Sequence, residues 1–118
     1  MQPEINYYNK DEAAFIHAGC RLVRLATGFQ FAEGPLWHPD GYLLISDARA
    51  NNIYQVWPDG RVWLYLPDSG LRGTDRSLLS DKPGSNALAL DREGRLLFCQ
   101  HGNHAIARLD DDGVAAAA

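Results

Sequence analysis

The chain has 118 residues, of which 46% are hydrophobic and 22% charged, and its formal net charge is -4. These values are typical of one soluble globular domain. Its 11 Lys and Arg residues are scattered, so we expect no nucleic-acid partner. No apolar run approaches the ~20 residues that cross a bilayer, and the chain lacks a basic and then apolar leader. We therefore expect no membrane partner and a cytoplasmic location.

The first 24 residues, 1–24, differ from the rest and are predicted to form an N-terminal extension. Within it, residues 11–16 favour a short helix that starts near Asn9 or Asp11. The chain also has two cysteines, Cys20 and Cys99, without the spacing of a metal or redox pair. We expect both to be buried or half-buried thiols, and a disulfide between them is left open.

From Leu25 onward, short apolar runs alternate with turn-forming dipeptides such as Asp40-Gly41, the pattern of successive antiparallel strands. An irregular loop, 67–84, divides these runs into two groups. The predicted strands are 32–37, 42–47, 52–57 and 61–66 in the first group, and 86–90, 95–100, 105–109 and a last one beginning at Val114 in the second. We read Asp110-Asp111-Asp112-Gly113 as a hairpin turn, because it lacks the alternate ligands of an EF-hand.

The two groups are copies of one unit. Moved by 53 positions without a gap, residues 33–61 fall on 86–114, so that Asp40-Gly41 meets Glu93-Gly94. Four antiparallel strands in a meander form the blade of a β-propeller, so we predict an all-β fold. Blade one covers about 32–66 and blade two about 85–118, within a partial propeller over 25–118. Two blades cannot close a ring. We therefore expect a fragment of a longer protein, whose open strand edges could associate.

Chain order places several polar residues on one rim of this propeller. In a meander, the start of the first strand lies beside the end of the second strand, at the same end of the sheet. Glu33 and Asn86 begin the innermost strands, while Asp47 and Gln100-His101 end the second strands. Oxygen ligands on Glu33 and Asn86 could therefore converge at the mouth of a central channel. Asp47 could also face the channel, although an Asp at the end of a strand commonly caps a loop.

The motif Phe31-Ala32-Glu33-Gly34-Pro35-Leu36-Trp37 resembles the opening motif of the gluconolactonase/regucalcin (senescence marker protein) family. The segments 42–47, 51–54, 85–96 and 99–103 continue the similarity, which covers about residues 24–114. The resemblance implies a six-bladed propeller that hydrolyses sugar lactones with a divalent metal in its channel. That metal is commonly Ca²⁺, with Mg²⁺, Zn²⁺, Mn²⁺ and Fe as alternatives.

The resemblance also implies roles for individual residues. Glu33 matches an early metal ligand of the family, and Asn86 and His101 are predicted substrate contacts. Asn86 could instead cap a turn or bind the metal directly. The general base and the remaining ligands are expected beyond residue 118. Gln100 departs from the Glu that many bacterial relatives carry before the His-Gly pair, so no role is transferred to that position.

Three functions remain open at this point. The leading one is a fragment of a metal-dependent sugar-lactone hydrolase, in which the metal polarises the lactone carbonyl and activates water. We expect the fragment alone to be inactive. The alternatives are a non-catalytic propeller module that binds a partner across its rim and a paraoxonase-like lactone or ester hydrolase. Separately, Trp37, Trp57 and Trp63 lie on predicted strands, where we expect them to pack between blades.

Overall fold

Over the residues that the structure describes, eight short strands form two antiparallel sheets of four strands each. The structure, a computed structural model, describes residues 5–6, 8–17, 19–71, 81–113 and 115–117. The first sheet has the order β1-β2-β3-β4 and the second β5-β6-β7-β8, so both are simple meanders. The strands are β1 Ala32–His38, β2 Tyr42–Asp47, β3 Asn52–Val56, β4 Val62–Pro67, β5 Ser85–Leu90, β6 Leu96–Gln100, β7 Ala105–Leu109 and β8 Ala115–Ala117. The all-β prediction and the blade-like meander are confirmed.

The two sheets pair their inner strands in the same way. In the first sheet, β1 pairs with β2 from Ala32 opposite Asp47 to His38 opposite Tyr42. In the second, β5 and β6 pair from Ser85 opposite Gln100 onward. Both pairs shift register near the start of the inner strand, between Glu33 and Leu36 and between Ser85 and Leu88. Such irregularities re-aim side chains next to functional sites, and here they lie beside the two predicted rim residues.

The hydrophobic core lies between one face of each sheet. In the first sheet the buried face includes Leu44 and Ile53, both 0% exposed, and in the second it includes Phe98 at 1%. Moved by 53 positions, however, Leu44 falls on Leu97 and not on Phe98. The two sheets therefore contact each other through non-equivalent faces. This is the relation between successive units stacked side by side in one direction.

Of the three tryptophans, Trp57 adjoins the core, although it lies directly after β3 and not on a strand. Trp57 packs against Tyr42, with ring centroids 5.2 Å apart, and adjoins the core. Trp37 and Trp63 are 59% and 57% exposed, so the expected packing between blades is wrong for them in this chain. Trp37 pairs with Leu43 on the face of the first sheet that points away from the second sheet. No neighbouring sheet covers that face within the described chain.

In the described part of the extension there is a short 3₁₀ helix, Glu12–Phe15. Asn9 caps it, because its Oδ1 accepts hydrogen bonds from the backbone N–H groups of Asp11 at 2.9 Å and Glu12 at 3.2 Å. Cys20 is exposed, contrary to expectation, whereas Cys99 is half-buried and both thiols are free. Val114, the predicted start of the last strand, lies outside the described residues. The division of the chain at residue 24 stays a prediction.

Across the described residues, no helix has the length and apolar character needed to traverse a bilayer. The cytoplasmic location stays a prediction.

Candidate functional site

Glu33 and Asn86 meet at the rim where β1 and β5 begin. One terminal atom of the Asn86 amide lies 2.7 Å from Glu33 Oε1 and 3.1 Å from the carbonyl oxygen of Ser85. With Nδ2 at that position, the amide donates to both oxygens. With Oδ1 there instead, three oxygens would face one another, which a bound cation could stabilise. Both side chains are half-buried. Chain order therefore predicted this contact between residues 53 positions apart.

A pocket of about 370 Å³ opens over this pair. Its lining residues come from both inner strands and two loops, and they are Phe31, Glu33, Asp81, Lys82, Asn86 and His101. The structure thus brings together all three predicted site residues. Glu33 and Asn86 lie next to each other, while His101 is exposed on the opposite loop.

Three lining residues, Phe31, Asp81 and Lys82, escaped sequence reasoning. The Lys82 ammonium lies 4.1 Å from the centroid of the Phe31 ring, a cation–π contact that holds a positive charge at the pocket wall. Asp81 Oδ2 pairs with Arg49 Nη2 at 3.2 Å. The phenylalanine belongs to the motif around Glu33, which was the available signal. The two charged residues lie in the irregular loop, whose path the repeat does not specify.

Asp47 fixes the backbone that leads into Glu33. Its carboxylate is 1% exposed and accepts hydrogen bonds from the N–H groups of Gln30 at 2.8 Å and Phe31 at 3.0 Å. A third bond, from Ala50 N–H at 3.1 Å, holds the turn after β2. Asp47 therefore caps a loop, as expected, and does not line the pocket.

A chain of buried hydroxyls fixes the backbone at Asn86. Ser46 Oγ donates to the Asn86 carbonyl oxygen at 2.8 Å. Because this hydroxyl has a single proton, Ser85 Oγ must donate to Ser46 Oγ and Ser69 Oγ must donate to Ser85 Oγ, each at 2.8 Å. All three serines are 0% exposed. The chain links the two sheets and the loop directly beneath the site.

Gly34 allows the two inner strands to approach. Its φ is +63°, and a Cβ there would lie only 2.2 Å from the carbonyl oxygen of Asn86. A side chain at position 34 would therefore both strain its own backbone and push Asn86 away. The close contact between β1 and β5 therefore requires a glycine at the position after Glu33.

The loop that carries His101 is held by backbone bonds to residues before β5. His101 N–H donates to the carbonyl of Gly84 at 3.3 Å, and Gly102 N–H donates to that of Pro83 at 3.0 Å. Gln100 is 6% exposed and its Nε2 donates to the Ser69 carbonyl at 3.0 Å. Gln100 is thus a structural residue here, and His101 is presented to the pocket by a rigid support.

The donor set at the rim suits a hard cation but is incomplete. Carboxylate and amide oxygens are the ligands that Ca²⁺ and Mg²⁺ prefer, and Ca²⁺ takes 6–8 of them. The 2.7 Å contact of the Asn86 amide with Glu33 Oε1 shows that both side chains reach the same point on the rim. Over the described part of the chain, no group of three or more His, Cys, Asp and Glu side chains could hold a metal.

Comparison with known proteins finds similarity to gluconolactonases. No protein-family model matches the chain. A gluconolactonase of Zymomonas mobilis is 32% identical over 98 residues, which cover 82% of this chain and 28% of that protein. The solved structure of a gluconolactonase of Xanthomonas campestris matches with a TM-score of 0.69 and 28% identity, over all of this chain and 35% of the other.

A structural-genomics structure assigned to the gluconolactonases superposes with a TM-score of 0.70, over 93% of this chain and 34% of its own. At 24% identity this match shows the fold alone. The chain thus spans roughly a third or less of the length of these relatives. The resemblance stated from the sequence motifs is confirmed, and the roles of Glu33, Asn86 and His101 stay predictions.

Proposed function

We propose that this chain, which belongs to the gluconolactonase family over the part of those proteins that it spans, supplies one segment of the active-site rim of a metal-dependent sugar-lactone hydrolase. The observation that carries the proposal is the contact of Glu33 and Asn86 at 2.7 Å beneath an open pocket. A carboxylate and an amide from two separate sheets thus reach one half-buried rim below the pocket.

Glu33 would hold a divalent metal, with Asn86 beside it. We favour Ca²⁺ because the neighbouring donors are oxygens, with Mg²⁺, Mn²⁺, Zn²⁺ and Fe as alternatives. When bound, such an ion supplies Lewis acidity at a lactone carbonyl and lowers the pKa of a bound water. Further ligands would have to come from outside this chain. We therefore expect the isolated chain to bind metal weakly and to show no lactonase activity.

The protein groups around the pocket would position a sugar lactone. The Asn86 amide and the exposed His101 imidazole can exchange hydrogen bonds with sugar hydroxyls. Lys82, held against Phe31, adds a positive charge to a wall that otherwise carries the Glu33 and Asp81 carboxylates. Neither half-buried rim residue is placed to act as a free base, because Asn86 does not titrate and Glu33 is engaged with it. The general base is expected beyond residue 118.

The metal proposal is tested by titrating the isotope-labelled chain with CaCl₂ and following backbone amide signals by NMR. We expect saturable shifts at residues 31–34 and 85–87, and at least tenfold weaker binding in Glu33→Gln. Glu93→Gln is the matched control, because it makes the same chemical change on an exposed turn in the other copy of the unit. Equal Ca²⁺ affinity in the original chain and in Glu33→Gln would remove the metal role of Glu33.

Catalysis is tested in a longer polypeptide that supplies the other blades. Hydrolysis of glucono-1,5-lactone should disappear with chelator and with Glu33→Gln. Lactone binding that persists in chelator without turnover would favour the non-catalytic module. Hydrolysis of aryl esters in preference to sugar lactones would favour the paraoxonase-like alternative.

A further inference from the structure

The wall of the rim pocket carries a positive charge that neither the metal nor the general base of the proposed reaction uses. Lys82 lies in the short segment that leads into β5, and Phe31 directly precedes β1. Both residues line the pocket together with Glu33 and Asn86. The Lys82 ammonium lies 4.1 Å from the centroid of the Phe31 ring, whose π electrons attract a cation. The pair therefore places a charge at a defined point of the pocket wall.

One buried residue holds the backbone on both sides of this pair. Ala48, which is 0% exposed, donates its N–H to the Phe31 carbonyl at 3.0 Å and accepts the Gly84 N–H at 2.7 Å. Pro83 follows Lys82 and restricts the lysine backbone to extended conformations. The two segments are thus fixed relative to each other before any ligand arrives. A group that is already in place loses less conformational freedom on binding.

Packing alone is a weaker explanation of the lysine. A lysine stem can cover apolar surface while its ammonium stays in water, yet the Phe31 ring remains 38% exposed. The neighbouring carboxylate of Asp81 does not cancel the charge by itself, because Asp81 Oδ2 also pairs with Arg49 Nη2 at 3.2 Å. The negative charge of Glu33 would be offset by the metal of the proposed function. The wall near Lys82 is therefore suited to an anion.

We propose that Lys82 is a specificity-determining residue, which binds an anionic substituent, a carboxylate or a phosphate ester, on the sugar lactone. The identity of the ligand as a lactone rests on the proposed function, whereas the preference for an anion rests on the geometry of Lys82 and Phe31. Glu33 and Asn86 would face the reacting end of the molecule, and Lys82 would meet its charged end. An ammonium with three donors suits either anion, since it acts as a compact point charge.

The first test compares two lactones that differ in one group. D-Glucaro-1,4-lactone carries a carboxylate where D-glucono-1,4-lactone carries a hydroxymethyl group. Their dissociation constants are measured by NMR in buffer with chelator, so that no metal contributes. In Lys82→Met the preference for the carboxylate over the neutral lactone should fall about fivefold, the factor that two unit charges about 4 Å apart give in water. Lys10→Met makes the same change at an exposed lysine of the extension and should leave the preference unchanged.

Two further variants and probes separate charge from packing and carboxylate from phosphate. Lys82→Met keeps an apolar stem on the Phe31 ring, so its circular dichroism spectrum should be unchanged, and Lys82→Arg should restore the preference for the anion. Glucose 6-phosphate compared with glucose tests the phosphate ester, and the pair of probes with the larger effect identifies the substituent. An equal preference in the original chain and in Lys82→Met would overturn the proposal. The absence of saturable shifts at Phe31 and Lys82 with both anionic probes would do the same.

The second test uses kinetics in the longer polypeptide that supplies the other blades. Lys82→Met should raise KM for D-glucaro-1,4-lactone about fivefold with kcat unchanged, because the contact is equal in the ground state and the transition state. Both constants for D-glucono-1,4-lactone should stay the same. An equal loss with the two lactones would contradict a role in specificity. Inactivity of the longer polypeptide toward both lactones would refute the proposed function and leave the binding preference of the first test standing.

Discussion

Asp47 accepts hydrogen bonds from the backbone N–H groups of both Gln30 and Phe31, and Ala48 N–H in turn donates to the Phe31 carbonyl at 3.0 Å. Phe31 lies two positions before Glu33, and both its N–H and its carbonyl are therefore held by residues at the end of β2 and directly after it. A buried carboxylate that satisfies three backbone donors is a rigid anchor. The position of the candidate ligand thus depends on a residue that does not line the pocket.

Replacement of Asp47 by Ala should lower the free energy of unfolding by about 3 kcal/mol or more, because three backbone N–H groups lose a charged acceptor. It should also release the segment before Glu33 and accelerate amide hydrogen exchange at Gln30 and Phe31. Urea unfolding and exchange measured by NMR check both effects. Asp111→Ala, on an exposed turn, is the control and should change stability little. A loss below about 1 kcal/mol would contradict the anchoring role.

Substitution of Gly34 would have two costs, the strain of a left-handed backbone and the contact of the new Cβ with Asn86. Gly34→Ala should destabilise the fold by more than the about 1–2 kcal/mol of a left-handed backbone, because the new Cβ would meet Asn86 O. Gly41→Ala is the matched control: its φ is +94°, yet nothing lies within 4 Å of its added Cβ. The losses in free energy of unfolding of the two variants, measured by chemical denaturation, should therefore differ by the cost of the Cβ contact alone. Equal losses would mean that β1 and β5 can separate at no cost.

The strands and the relation between the sheets could be predicted because they follow from local and repeated signals. Turn dipeptides recur at a fixed spacing, and a displacement of 53 positions aligns Glu33 with Asn86. Since both positions begin an inner strand, their meeting at one rim follows from the meander itself. The contact of Glu33 with Asn86 therefore needed no knowledge of side-chain packing.

The support beneath the site could not be predicted in the same way. Ser46, Ser69 and Ser85 meet only because the loop after β4 returns between the sheets, and no periodic pattern fixes that path. The prediction from residue type was also wrong at Trp37, whose aromatic side chain suggested burial between blades. Its exposure follows from its strand register, which places it on the face that lacks a neighbouring sheet.

The serine chain predicts non-additive stability. Ser46→Ala removes the donor to the Asn86 carbonyl and should cost about 1–3 kcal/mol, since that buried oxygen loses its partner. Ser69→Ala should cost about as much, because Ser85 Oγ loses its donor and the buried Ser85 N–H loses its acceptor, Ser69 Oγ at 3.3 Å. The double variant should lose less than the sum of the two single losses, with a coupling of about 0.5 kcal/mol or more. Urea denaturation of the four proteins gives the coupling, and strict additivity would show that the hydroxyls act independently.

The turn between β5 and β6 predicts acid sensitivity. Partial burial raises the pKa of Asp91, but hydrogen bonds from the Arg95 backbone N–H, the Arg95 guanidinium and the Glu93 backbone N–H outweigh it and leave that pKa below its usual range. A carboxyl whose folded pKa is depressed stabilises the fold above its unfolded pKa of about 3.9. That contribution is lost as the pH falls through this value toward the folded pKa. The pKa values of Asp59 and Asp110 are lowered in the same sense.

Thermal unfolding between about pH 5 and pH 2.5 should therefore show a falling midpoint below about pH 4. Asp91→Asn should unfold at a lower temperature at pH 5 and show a shallower fall, because its amide cannot be protonated in this range. High salt screens the pairing of Asp91 with Arg95 and leaves the backbone bonds in place. In 0.5 M NaCl the unfolding midpoint of the original chain should therefore still fall at acid pH, but less steeply. If Asp91→Asn kept the full slope, the turn would not be the source of the acid sensitivity.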